Sequence, residues 1–225
     1  FANIVKSGTA TATAATGFTA KVDASGLAAN TEYCYRFRQG RHASAVGRAR
    51  TLPTGSVSEV RLAVLSCANY PAGFFNVYAE VAKSDAQFAL HLGDYIYEYA
   101  ADGYASAQAA QLGRVVQPAT ELLTLSDYRL RHAQYRSDPD AKDLHARLPM
   151  IAVWDDHEIA NDAYQDGAEN HDPAKEGSFA ARRAAAPAPC LASECRIRRA
   201  VARRGWQAAG SPSGCRRSGS ASGNC

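Results

Sequence analysis

Residues 87–98 read Gln87-Phe88-Ala89-Leu90-His91-Leu92-Gly93-Asp94-Tyr95-Ile96-Tyr97-Glu98. A short apolar run, Phe88 to Leu92, ends at a Gly-Asp pair and a set of oxygen donors. That is the form of a buried parallel strand entering a loop at its carboxyl end. The same form occurs twice more. Leu62 to Leu65 precedes Ser66-Cys67-Ala68-Asn69-Tyr70. Met150 to Trp154 precedes Asp155-Asp156-His157-Glu158, with Asn161 and Asp162 just beyond. Ligands of open α/β sheets bind outside the carboxyl ends of the strands, so the three donor clusters are expected to converge.

The segments between the runs carry helical spacing. Phe74, Val77, Tyr78 and Val81 share one side of a helix predicted over 74–86. A second is predicted over 120–136, capped by Thr120, with Leu122, Leu123, Leu125, Tyr128 and Tyr135 as its apolar stripe. Residues 100–117, rich in Ala, Gly and Gln, read as loop or short helices.

Upstream the period changes. Phe18, Ala20 and Val22 alternate with polar residues, and Thr31 to Arg38 places Tyr33, Tyr35 and Phe37 on one face. Ser25-Gly26-Leu27 and Asn30-Thr31 supply turn chemistry. Residues 1–52 are therefore expected to be part of an all-β (fibronectin-III/Ig-like) sandwich domain, a fold that needs about 100 residues when complete. Residues 53–60 read as a linker, and residues 61–186 as a truncated α/β sandwich.

Residues 187–225 have no periodicity and are dominated by Pro, Arg, Gly, Ser and Cys. Out-of-frame translation of a GC-rich gene accounts for that composition, and a natural Arg-rich disordered tail is the alternative. This stretch holds 7 Arg and a single acid, Glu194, whereas the preceding residues hold 18 basic against 21 acidic side chains. The formal charge of +3 thus belongs to the tail, and no nucleic-acid-binding motif accompanies it. Four of six cysteines also lie there, without CxxC spacing or a His beyond His171, so no zinc site is predicted. No run approaches a membrane span. The opening Phe1-Ala2-Asn3 reads as a cut start rather than a signal peptide.

The donors suit metals. A Cys thiolate, a Tyr phenolate and carboxylates favour a trivalent iron or a mixed-metal site, and the oxygens of Asp156 and Asn161 suit a hard divalent ion such as calcium. Paired cations polarise a phosphate and activate water. Structural readings compete at each position. A lone Cys at a strand end is most often a small buried apolar residue, and Gly-Asp is common turn chemistry. Asp155 with Glu158 three residues on also fits a helix capping box. His91, His132 and His145 are assigned structural roles.

The motifs carry a resemblance. GDYIYE resembles the GDxxY element of purple acid phosphatases and wider metallophosphoesterases, and WDDHE stands where those enzymes carry GNHE. SCANY, HLGDYIYEY, YRxxxAQYRSDPD and VWDDHE followed by Asn161 are together similar to the alkaline phosphatase D (PhoD-like) family, over residues 1 to about 186. The resemblance implies a secreted or periplasmic, monomeric hydrolase of phosphate monoesters and diesters that uses Fe3+ and Ca2+. It implies Cys67, Asp94 and Tyr97 as iron ligands, Asp94 bridging, Asp156 and Asn161 on the calcium side, and His157 beside the phosphate as the catalytic residue. Further ligands expected from a second half of the catalytic sandwich are not found, so the chain is expected to be incomplete and inactive. The rival reading is a non-catalytic extracellular β-sandwich fragment that binds calcium structurally.

Overall fold

The computed structural model describes residues 3–186. The expectations for residues 187–225 lie outside these. The element order begins with a 3₁₀ turn, Ala14–Thr16, and four short strands: β1 Glu32–Tyr35, β2 Arg38–Gln39, β3 His42–Ala43 and β4 Gly47–Arg50. β1 pairs antiparallel with β4, and β2 with β3. These are two separate two-stranded ribbons, with no stacked second sheet among the described residues. Tyr35 and Phe37, from the predicted inward face, are exposed. The expected sandwich is thus represented here by ribbons. They lean on the rest of the chain where β4 approaches α4 and Arg129 donates to the Ala15 carbonyl at 2.7 Å.

The second part is α/β. Strands β5 Leu62–Leu65, β6 Phe88–His91 and β7 Met150–Ala152 form a parallel sheet in the order β5-β6-β7. The helices are α1 Asn76–Lys83, α2 Ala109–Leu112, α3 Leu125–Ser137, α4 Pro139–Arg147, α5 Pro173–Glu176 and α6 Phe179–Ala185. One core gathers Leu65, Ala89 and Met150 from the sheet with Tyr78, Tyr128, Tyr135 and Leu144 from the helices. The other sheet face is open: Leu62 and Val64 are 48% and 57% exposed. The apolar run of β5 therefore differs from a strand covered on both sides.

Two helices differ from the periodic reading. The buried stripe of α1 runs through Phe75, Tyr78 and Ala82, while Phe74 and Val77 face outward. α3 starts at Leu125 rather than near Thr120, because a stronger cap lies downstream. Thr124 accepts from the Asp127 N–H at 3.3 Å, and Asp127 accepts from the Thr124 N–H at 2.8 Å. This is a capping box. Leu122 is spent instead on an extended contact, its N–H bonded to the Glu98 carbonyl at 3.1 Å.

α4 is joined to the first loop by a buried ion pair. Asp138 caps α4 through the N–H groups of Asp140 and Ala141, and its other oxygen takes Arg114 at 2.7 Å. Arg114 also donates to the Tyr70 carbonyl and lies 3.6 Å over the Tyr70 ring.

Candidate metal centre

The three strand-end loops are held against one another by backbone hydrogen bonds. Past the ladder, Cys67 N–H donates to the Gly93 carbonyl at 3.2 Å and Ala68 N–H to the Asp94 carbonyl at 2.8 Å. Cys67 and Asp94 both adopt left-handed backbone, φ 59° and 54°, a conformation unusual for residues other than Gly and frequent at functional turns. Gly93 has φ 116°, and a Cβ there would lie 2.4 Å from the Asp155 nitrogen. Only glycine lets the second and third loops approach this closely.

Glu158 secures the third loop. Its fully buried carboxylate accepts from the N–H groups of Asp94 (3.2 Å), Tyr95 (2.5 Å) and Asp155 (2.7 Å). The capping-box reading of Asp155 and Glu158 is thus half right. The reciprocal bond to Asp155 forms, yet a turn follows rather than a helix, and the carboxylate reaches across to the second loop. Burial raises Glu158 to about 7, against the lowering effect of those three donors.

The side chains meet at Asp94. Its Oδ2 is 3.6 Å from Cys67 Sγ and accepts from the Tyr97 hydroxyl at 3.2 Å. Its Oδ1 is buried without a partner. Ligand atoms of Asp94, Asp156 and His157 lie within 4.8 Å of one another. A buried carboxylate oxygen left unpartnered among acids is costly unless a cation faces it. Burial raises Asp94, which His157 partly opposes and Asp156 reinforces. Burial, then Asp94 and Cys67, push the Tyr97 phenol far above its ordinary value. The donor set and the orphan oxygen both fit a metal ion.

Cys67, Asp94, Tyr97, Asp156 and His157 are therefore brought together. Asn161 sits differently: its side-chain amide donates to Glu169, and its backbone N–H to Glu98 at 2.7 Å. Tyr97 is placed from behind by buried Arg131, which donates to the carbonyls of Tyr97 and Tyr99 and also to Gln117 and Pro118. The ring of His157 lies on Tyr97, centroids 4.2 Å apart. His157 Nδ1 is 2.8 Å from Glu98 Oε2. Burial would lower His157, but Glu98, then Asp94 and Asp156, hold it above its ordinary value. Burial would raise Glu98, but His157 and backbone N–H donors hold it below the usual range. His91 and His132 are in the core, His91 against the Tyr78 hydroxyl, and the half-buried His145 packs against the Tyr95 hydroxyl.

Parallel strands that deliver carboxylates, a thiol, a phenol and an imidazole to one point define a candidate metal-assisted hydrolase site. Residues 62–189 match the PhoD-like phosphatases, and residues 1–53 match the PhoD-like phosphatase N-terminal domain. The chain belongs to the PhoD-like phosphatase family. It is 42% identical over 164 residues to the alkaline phosphatase D of Bacillus subtilis (strain 168), a match covering 72% of this chain and 27% of that protein. It also superimposes on a solved structure of PhoD with a TM-score of 0.71 and 38% identity, covering 80% of this chain and 34% of that one. The chain thus spans about a third or less of the relatives it matches. Among the described residues, no helix is long and apolar enough to cross a membrane.

Proposed function

We propose that this chain carries residues of a metal-dependent phosphate-ester hydrolase site, acting on monoesters and diesters. The observation that carries the reading is the convergence of Asp94, Asp156 and His157 with the partnerless Asp94 Oδ1 among them. Cys67, Asp94 and Tyr97 would hold an iron ion, with Asp94 shared toward a calcium side completed by Asp156 and Asn161. A thiolate and phenolate beside a carboxylate suit Fe3+, and neutral and anionic oxygens suit Ca2+. Bound together, such ions would neutralise the phosphate charge and supply an activated water for in-line attack.

The chain's own groups have distinct tasks. The left-handed turns at Cys67 and Asp94 aim both side chains into one space. Glu158 fixes the backbone of the second and third loops. Arg131 sets the depth of Tyr97. His157 would stand beside the phosphate, where the doubly protonated ring, favoured by its acidic neighbours, stabilises charge or hands the Nε2 proton to the leaving oxygen. On the family resemblance, a secreted or periplasmic location belongs to the same proposal.

Five donors fall short of two full coordination shells, since calcium alone takes 6–8 oxygens. Hydrolysis by these 225 residues alone is therefore expected to be slow. The test is an assay with bis-p-nitrophenyl phosphate, iron and calcium supplied, run beside visible absorption spectra. An iron–tyrosinate band that Tyr97→Phe abolishes is the expected result. No colour and no retained iron would remove the iron assignment. Turnover above about 1 per second, within the ordinary enzyme range, would show that these donors suffice.

A further inference from the structure

Glu98 follows Tyr97 directly, is fully buried, and divides its two oxygens between His157 and the Asn161–Asn170 stretch of the same loop, the one between β7 and α5. Oε2 faces His157 Nδ1 at 2.8 Å. Oε1 accepts from the Asn161 backbone N–H at 2.7 Å and from Asn170 Nδ2 at 2.8 Å. An ionised carboxylate only accepts hydrogen bonds, so the nitrogen facing it must carry a proton. We propose that Glu98 is a positioning residue: it holds His157 in the Nδ1–H form and ties that ring to the Asn161–Asn170 segment as one unit.

Three consequences follow from the geometry. With Nδ1 engaged, Nε2 is the nitrogen left for the cluster formed with Asp94 and Asp156. A neutral His157 therefore offers a lone pair there, not an N–H. The ring cannot turn over freely, because Tyr97 packs on it at 4.2 Å and Tyr99 at 5.5 Å. A shift of the Asn161 segment would also be felt at the imidazole, since both are bonded to one rigid carboxylate. Such outer carboxylate–histidine pairs commonly set the tautomer of an imidazole that works at a metal or phosphate. The importance of Nε2 to hydrolysis rests on the phosphatase reading above; the tautomer and the tie do not.

An isosteric substitution separates this role from simple core packing. In Glu98→Gln the two donors at the Oε1 position demand the amide oxygen. The amide NH2 is then left facing His157 Nδ1, which must accept. The neutral ring is expected to switch to the Nε2–H form. Long-range 1H–15N spectra of the full chain, labelled with 15N, read this directly, with His157 assigned by His157→Asn. They are recorded at a pH where titration shows the ring neutral.

The expected result is a wild-type His157 with its protonated-type 15N signal at Nδ1, and an exchange of the two nitrogen signals in Glu98→Gln. Retention of the same pattern in the folded variant overturns the proposal. If Glu98→Gln fails to fold, the wild-type spectrum still decides, because an Nε2–H form there overturns it equally. Adding Ca2+ and inorganic phosphate to the wild type separates the two readings. Movement of Nε2 supports both. A ring held as Nδ1–H whose Nε2 ignores those additions supports the positioning role while removing the phosphatase reading.

Discussion

The ribbons of residues 30–50 and the sheet of β5, β6 and β7 carry apolar patterns of similar clarity, yet only the sheet has a core. Tyr33, Tyr35 and Phe37 alternate as cleanly as any strand, but Tyr35 and Phe37 are 42% and 49% exposed. The equivalent strand residue Leu65 is 8% exposed because Tyr78 and Phe75 pack with it in one cluster. An alternating strand can offer an apolar face, but only a second layer buries it. In the α/β part α1, α3 and α4 provide that layer on one side of the sheet. Acid, backbone crowding and charge deletion should therefore act strongly on the α/β part and weakly on the ribbons.

Acid should have the largest effect. Burial depresses His91 to about 4, and burial with Arg136 depresses His132 and His145 to about 3. A histidine depressed in the fold contributes stability above its unfolded value of about 6.5. That stability is lost as pH falls through the window down to the folded values, by up to about 1.4 kcal/mol per pH unit for each group. Glu158, raised to about 7, acts oppositely, its contribution full below its unfolded value and lost as pH rises through 7; His157 and Asp94, both raised in the fold, act in the same sense, so the three offset part of the histidine loss. Urea unfolding at pH 7.5, 6 and 5 should show the α/β part losing several kcal/mol. A flat profile would mean that these histidines are not buried in solution.

Charge deletion comes next. Asp138→Ala strands Arg114 in the interior and removes the α4 cap, since both side chains are at most 5% exposed. The expected cost is about 3–5 kcal/mol. Glu32→Ala breaks the ribbon pair with Arg48, where both side chains are about half exposed, and should cost about 0.2–1 kcal/mol. Equal costs in urea unfolding would erase the contrast between the regions.

Two glycines sharpen it further. Ala at Gly93 meets the Asp155 backbone in an already left-handed conformation, and should cost about 1–3 kcal/mol from strain alone while loosening metal retention. Ala at Gly47 meets the Tyr35 ring at 2.3 Å, but that ring is exposed and rotates away. Its cost should stay below about 1 kcal/mol. Calorimetry of both variants provides the comparison.

Much of the site was legible because it rests on a local rule. Donors directly after apolar strands meet wherever the strands are parallel and adjacent, so the convergence of Cys67, Asp94, Tyr97, Asp156 and His157 needed no knowledge of distant packing, while their individual roles rest on the family resemblance. Glu98 and Glu158 were harder to read. Their roles depend on which backbone N–H groups from another loop reach them, 63 and 64 residues away for the Asn161 and Asp94 contacts. For Glu98 the available signal was an acid inside the aromatic run Tyr95 to Tyr99, and for Glu158 its spacing of three from Asp155. The start of α3 was misread because Thr120 and Thr124 are both good caps, and only Thr124 has an acid three residues on. The open sheet face was invisible to periodicity, because Leu62-Ala63-Val64-Leu65 looks the same with one face covered or two.

The smallest expected effect bears most directly on the ribbons. Phe37→Ala removes a ring whose described aromatic contact is an edge-on approach to Tyr35, centroids 6.0 Å apart. A half-exposed ring loses little transfer free energy when truncated, and such surface changes usually stay within about 0.5 kcal/mol. Tyr135→Ala, in the α/β core, should instead cost about 3–5 kcal/mol by leaving a cavity. The informative outcome is a surprise at the ribbon. A cost above about 2 kcal/mol for Phe37→Ala, in the range of a core aromatic, would mean that its face is covered in solution by another layer. Under that outcome the contrast between the regions would reflect a missing neighbour rather than a weaker pattern. A cost near zero would establish that the ribbon is held by its backbone pairing and its attachment at β4 and Ala15, with its aromatic face contributing nothing to the fold.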